Sequence, residues 1–140
     1  MILRKPNFQD IYKASEFLSQ DDNEKKYILL AWLEQSKNPA FFSWVIVKEH
    51  DVRAVITGQQ ENGMVLIGKL AGSENHQEML LNKMIRTFNP QQINITVPEV
   101  TPVLLKFGFD VETYNVTYRK SNEEIEDITV EETVEDNTSQ

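Results

Sequence analysis

The chain has 140 residues, no cysteine and a formal net charge of −8. This length suits one domain with a core that folds unaided, and the lack of cysteine excludes disulfides and thiolate metal sites. The two histidines, His50 and His76, lie far apart without metal-ligand spacing around either one, so a structural zinc site is not expected.

The charges are divided unevenly along the chain. Residues 1–120 hold all 14 Lys and Arg and 14 of the 22 Asp and Glu, so this part is formally neutral, and the remaining 8 acids fall in residues 121–140. A neutral domain lacks the basic surface that nucleic-acid binding needs. We therefore expect a domain at residues 1–120 and an acidic tail at 121–140, disordered because it has no aromatic and few apolar residues.

The apolar stretches are short. The N-terminus lacks the apolar run of a signal peptide, and the longest apolar segments, residues 27–33 and 41–47, are too short to span a bilayer. These features favour a soluble, cytoplasmic protein.

Hydrophobic spacing and turn residues predict ten elements. Apolar residues three and four apart indicate helices, and runs rich in β-branched and aromatic residues indicate strands. Asn62-Gly63 is a typical hairpin turn, and Gly108 is a typical left-handed helix stop. In chain order, the elements are a strand at 1–4, a helix capped by Asn7 or Asp10 and running to Leu18, a helix from 21 to about 38, strands at 41–48, 52–57 and 64–70, a helix at 74–88, a strand at 93–97, a helix opened by Pro98 at 98–107 and a strand at 109–118.

The predicted order, β-α-α-β-β-β-α-β-α-β, indicates the α/β (α+β) class. Antiparallel hairpins followed by two βα steps give a mixed, mostly antiparallel sheet with helices on both faces. The strands at 64–70 and 93–97 are joined through a helix, so they should be parallel with a right-handed crossover. A ligand is expected at the carboxyl end of the 64–70 strand, beside the start of the following helix.

This order, with its landmarks, resembles the GNAT superfamily of acyl-CoA-dependent N-acetyltransferases over about residues 1–118. Two stretches carry the likeness. "MILRKPNFQDIYKASEFL" is similar to the family's first strand and helix, and "VTPVLLKFGFDVETY" is similar to its late helix, with Lys106, Gly108 and Phe109 in a Lys-x-Gly-Phe ending. In size and eroded motifs the chain is also similar to small phage-encoded GNAT-like proteins.

The resemblance implies an acetyl-CoA site at the end of the 64–70 strand. In the family this strand bulges and its backbone binds the pantetheine arm, which implies Lys69, Leu70 and Ala71 here. The N–H groups of the following loop and helix start hold the pyrophosphate, because they are orphan donors in the field of the helix dipole. The implied loop residues are Gly72, Ser73, Glu74, Asn75, His76 and Gln77.

This loop departs from the family's Arg/Gln-x-x-Gly-x-Gly/Ala pattern. Gly72 stands at the basic or amide position, and Asn75 and Gln77 stand at the two later glycine positions. Glu74 places a carboxylate where a phosphate would arrive. At about 4 Å and an effective dielectric near 20, that repulsion is on the order of 4 kcal/mol before salt screening, against about 8 kcal/mol for micromolar binding.

The sequence does not single out an acid or a base. The family often has a tyrosine four residues before the glycine of the late Gly-Phe pair, and this chain has Leu104 there. Tyr114 and Tyr118 are alternative proton donors, although half-buried tyrosines are common in strands. Asp110 is a candidate for a carboxylate near the cleft.

Two functions follow from the resemblance. The first is acetyl transfer from acetyl-CoA to an amine, with much of the rate supplied by proximity. The second is a catalytically inactive GNAT-fold protein that binds another protein, with the acidic tail as a docking segment or polyanion mimic. Most acidic tails only solvate, and Ile125, Ile128, Val130 and Val134 are the residues that would order on a partner.

Overall fold

The computed structural model describes residues 1–96, 101–112 and 115–119. The predicted tail at 121–140 lies outside these residues, so the predicted division into domain and tail stays a prediction. The described residues form β1 (Ile2–Arg4), α1 (Phe8–Leu18), α2 (Asp22–Gln35), β2 (Phe41–Lys48), β3 (Asp51–Glu61), β4 (Met64–Ala71), α3 (Glu74–Phe88), β5 (Gln92–Thr96), α4 (Pro102–Lys106), β6 (Asp110–Glu112) and β7 (Asn115–Arg119).

The strands of the described residues form one sheet in the order β1-β2-β3-β4-β5-β7-β6. The pairings are antiparallel except between β4 and β5, which run parallel from Met64 opposite Gln92 to Ile67 opposite Ile95. The chain crosses from β4 to β5 through α3, so the two strands point the same way. The predicted parallel pair and the mostly antiparallel sheet are confirmed.

Helices cover both faces of the sheet, as predicted. Residues of β2 alternate between the faces: Trp44 and Ile46 lie in a core with Leu80 and Met84 of α3, and Val45 lies in the other core. That second core contains Ala14, Ile28 and Trp32 of α1 and α2. The period of two along a strand feeds both layers, which explains the nearly continuous apolar run of β2.

Side-chain caps begin the helices where the sequence indicates them. The Asn7 side chain accepts a hydrogen bond from the Asp10 N–H, and the Asp10 carboxylate accepts one from the Asn7 N–H. The two bonds form a capping box at α1. Asp21 caps α2 and Ser73 caps α3. At the end of α3, Asn89 takes the left-handed conformation (φ 45°).

Three predicted elements differ from the structure. The predicted single strand at 109–118 is wrong, because two antiparallel strands, β6 and β7, pair there, with Val111 opposite Val116. No Gly or Pro interrupts this stretch, so its alternation resembles one strand. The late helix begins at Pro102 after the cap Thr101, not at Pro98, which lies outside the described residues. β3 continues through Gly58 to Glu61, because its hairpin with β4 turns only at Asn62-Gly63.

A partly buried ion pair joins β1 to α1. Arg4 donates from Nε and Nη2 to the two carboxylate oxygens of Asp10, at 3.0 and 2.9 Å, and Asp10 is only 4% exposed. Burial by itself would raise the pKa of the Asp10 carboxyl, but the hydrogen bonds from Arg4 and the Asn7 N–H outweigh it, so this pKa is lowered. The charged carboxylate therefore stabilises the folded chain.

We expect Asp10→Asn to lower the free energy of unfolding by about 2 kcal/mol at neutral pH, a moderate value because the Arg4 side chain is 40% exposed. A lowered folded-state pKa gives stability that is full above the unfolded pKa of about 3.9 and is lost as the pH falls through the folded pKa. Urea denaturation across acid pH should thus show the two proteins converging below about pH 4. The control is Glu34→Gln in an exposed pair with Lys37, expected to change stability by less than about 0.5 kcal/mol.

Candidate functional site

Strand β4 contains a bulge at Gly68. The register with β3 pairs Ile67 with Gly58 and then Lys69 with Thr57, so β4 has one residue more than β3 at this point. Such an insertion bends the strand and redirects its backbone. The bulge implied by the family resemblance is therefore present, and a lone glycine inside an apolar strand is its signal in the sequence.

Beyond the bulge, β4 and β5 separate. The parallel β4–β5 ladder ends at Ile67 opposite Ile95, whereas β4 stays paired with β3 as far as Ala71. Strand β5 continues to Thr96, where it pairs with Asn115 of β7. Residues 68–71 therefore have no strand on their β5 side among the residues that the structure describes. Their main-chain groups on that side are available to an amide-bearing ligand.

The loop after β4 leads directly into the N-terminus of α3. Ser73 caps the helix by accepting a hydrogen bond from the His76 N–H, and its carbonyl accepts from the Gln77 N–H. Within the described part of the chain, the N–H groups of Glu74 and Asn75 are left without an acceptor. Two free donors at the positive end of a 15-residue helix form a position suited to an anion.

The side chains of this loop stabilise the loop and the helix start, and they do not favour a bound anion. Gln77 donates through Nε2 to the Gly72 carbonyl at 2.8 Å, which closes the loop on itself. The exposed Glu74 carboxylate lies in the first turn of α3, where the helix dipole stabilises a negative charge. Glu74 thus occupies the same favourable field that would attract a phosphate, and any anion must compete with it.

A second feature of the bulge is a cavity on the α2 face of the sheet. Its volume is about 150 Å³, and Thr57 and Lys69, the pair next to the bulge, form one wall. The oxygen of the Thr57 hydroxyl lies close to the bulge, 3.3 Å from where a Cβ on Gly68 would stand. The remaining lining residues come from α2: Tyr27, Ile28, Ala31, Trp32 and Gln35.

The sequence did not predict the α2 side of this cavity. Apolar residues occur all around α2, so that Ile28 and Trp32 are buried whereas Tyr27 and Leu30 are exposed. An apolar helix of this kind is most simply interpreted as a core helix. Only the packing of α2 over the bulge shows that one side of it borders a cavity.

The residues considered for catalysis lie in different parts of the structure. Leu104 is 1% exposed and packs in the core with α3, so its position faces the interior. Tyr118 lies on β7 opposite Ile93, and Asp110 lies on β6 opposite Thr117. Both strands lie on the β5 side of the cleft. Tyr114 lies outside the described residues, so no catalytic role is tested for it.

No helix in the described part of the chain is long and apolar enough to cross a membrane.

Comparison of the sequence with protein-family profiles gives no match, and comparison with curated proteins gives none either. Solved structures do match. An aminoglycoside 6'-acetyltransferase type Ii is similar with a TM-score of 0.62 and 13% identity over 85% of this chain and 97% of that one. PaiA N-acetyltransferase from Thermoplasma acidophilum, in complex with coenzyme A, has a TM-score of 0.61 and 12% identity over 85% and 98% of the two chains.

A GNAT family acetyltransferase from Brucella melitensis, in complex with acetyl-CoA, is similar with a TM-score of 0.59 and 14% identity, over 86% of this chain and 88% of that one. Identities this low establish the fold alone. The chain therefore has the fold of GNAT acetyltransferases, in agreement with the predicted fold class.

Proposed function

We propose that the chain is an acyl-CoA-dependent N-acetyltransferase that moves an acetyl group from acetyl-CoA to an amine. The observation that supports this most is the bulged end of β4. There β4 separates from β5, and the end of β4 lies next to two free N–H groups at the start of α3. One continuous surface thus offers main-chain groups for a pantetheine arm and helix donors for a pyrophosphate. The structural neighbours with bound CoA and acetyl-CoA add to the proposal.

Each part of the site has a distinct role in this proposal. The backbone of Lys69, Leu70 and Ala71 orients the pantetheine arm, and the loop from Gly72 to Gln77 receives the pyrophosphate. Bound acetyl-CoA supplies a thioester, whose C–S bond breaks as the amine nitrogen forms the new C–N bond. Holding the two reactants together in the cleft supplies much of the rate.

The buried position of Leu104 favours a second candidate function. Leu104 stands where the family often has a proton-donating tyrosine, and Glu74 stands at the pyrophosphate position. Both features fit a GNAT-fold protein that binds another protein. In that case the neutral domain supplies a surface and the acidic residues 121–140 supply a docking segment or a polyanion mimic. The two candidates differ in whether acetyl-CoA binds.

Calorimetry with acetyl-CoA separates the two functions. We expect binding in the range of about 10–100 μM, and we expect Glu74→Gln to tighten it about tenfold, because the carboxylate repels the pyrophosphate but is exposed and screened. The matched control is Glu61→Gln, an exposed glutamate at the hairpin end of β3, which should leave the affinity unchanged.

Absence of heat at about 1 mM acetyl-CoA, for both the parent and Glu74→Gln, would reject the acetyltransferase and leave the binding function. Equal affinities for parent and Glu74→Gln would show instead that the pyrophosphate does not approach the start of α3.

A further inference from the structure

The cavity between α2 and the bulge is rich in hydrogen-bond donors. Lys69 contributes an ammonium group, Gln35 an amide and Thr57 a hydroxyl, and the residue Thr57 is 6% exposed. An acceptor brought into the cavity would pair with these donors.

Negative charge is missing from the same cavity. Its described lining residues include neither Asp nor Glu, and Lys69 forms no ion pair with a described residue. A polycationic amine brought here would meet the Lys69 ammonium without a carboxylate to compensate for the repulsion. A carboxylate would instead complete an ion pair and find donors around it.

The size and the apolar wall restrict the ligand further. The cavity opens to solvent beside the exposed Tyr27, Gln35 and Lys69, and its volume of about 150 Å³ accommodates a group of about six non-hydrogen atoms. Ile28, Ala31 and the ring of Tyr27 supply apolar contacts. The cavity therefore suits a small apolar or aromatic group that is joined to a carboxylate.

We propose that the acceptor is a small amine that carries a carboxylate, such as an apolar or aromatic amino acid, with its carboxylate paired to Lys69. This inference rests on the proposed acetyl transfer. The Thr57–Lys69 pair flanks the bulge, so a ligand held by Lys69 lies beside the strand that would orient the thioester. The amine nitrogen takes the acetyl group, the thiolate of CoA leaves, and the proton of the amine passes to water.

The test compares amines that carry a carboxylate with amines that do not. Phenylalanine is set against phenylalaninamide, leucine against leucinamide, and spermidine represents polycations, with release of CoA as one readout and calorimetric binding to the protein as the other. We expect each carboxylate to be preferred over its amide by about tenfold, and Lys69→Met to remove that preference. Lys48→Met, an exposed lysine at the end of β2, is the control that should retain it.

Two results would overturn the inference. One is equal or better binding of the amides or of spermidine, and the other is no binding of either carboxylate at about 10 mM, ten times a Kd of 1 mM. Failure of acetyl-CoA to bind would reject the proposed acetyl transfer instead. The calorimetric comparison of the amines does not need acetyl-CoA, so the two failures can be told apart.

Discussion

Gly58→Ala is expected to lower the free energy of unfolding by about 4 kcal/mol or to prevent folding. Gly58 lies on β3 opposite Ile67, immediately before the bulge. A Cβ there would stand 2.4 Å from the Leu66 carbonyl oxygen and 2.8 Å from the ring of Phe42. The first contact is with backbone, so it is relieved only by separating β3 from β4. Urea denaturation measures the loss.

Gly68→Ala is the matched control for this substitution. A Cβ at Gly68 would stand 3.3 Å from the Thr57 hydroxyl oxygen, a side-chain atom that can rotate away, so we expect a loss of about 1 kcal/mol. If Gly58→Ala were as mild as Gly68→Ala, the register that places the bulge at Gly68 would be wrong. The cleft, which depends on that register, would then lose its main support.

Gly72→Ala should destabilise the protein by about 3 kcal/mol and weaken any ligand held by the loop. Gly72 has φ of 126°, a conformation that L-residues rarely adopt, and a Cβ would stand 2.6 Å from the Cβ of Ala54 and 2.9 Å from the Arg53 carbonyl oxygen. Strain and overlap therefore add, and the loop must move away from β3. Chemical denaturation and acetyl-CoA calorimetry measure the two effects.

Gly108→Ala is the control that separates backbone strain from the steric overlap expected for Gly72→Ala. Gly108 has φ of 83° and nothing within 4 Å of a built Cβ, so only the conformational cost of about 1 kcal/mol applies. In addition, Ala54→Gly combined with Gly72→Ala should recover part of the stability, because it removes the closest contact. Similar losses for Gly72→Ala and Gly108→Ala, with no recovery in the double variant, would contradict the close packing of the loop on β3.

These glycines change the interpretation of the loop. Its pattern suggested an eroded phosphate-binding loop in which one glycine, Gly72, remains. In the structure, the close packing of the Gly72 backbone against Ala54 is enough to explain why a glycine stands at this position. The anion-binding capacity of the site therefore rests on main-chain donors at Glu74 and Asn75 and not on glycine content.

Local periodicity and capping residues were enough to predict the helices and the order of most elements. The four-residue steps from Leu80 to Met84 and Phe88 predict α3. Asn7 predicts the cap of α1, and the helix between β4 and β5 makes these strands parallel. Such features are set by interactions between residues close together in the chain. The order of elements, and with it the fold class, follows from them.

The point at which β4 and β5 separate, and the residues that line the cleft, depend on packing between elements distant in the chain. The one-residue bulge, the end of the β4–β5 ladder at Ile67 and the cavity beside Lys69 each depend on register between elements distant in sequence. The sequence does not predict the antiparallel β6–β7 pair, because no Gly or Pro interrupts residues 109–118. Periodicity states which face a residue is on, but it does not state which residue stands opposite. At this site the opposing residue, Thr57 against Lys69, is what creates the candidate chemistry.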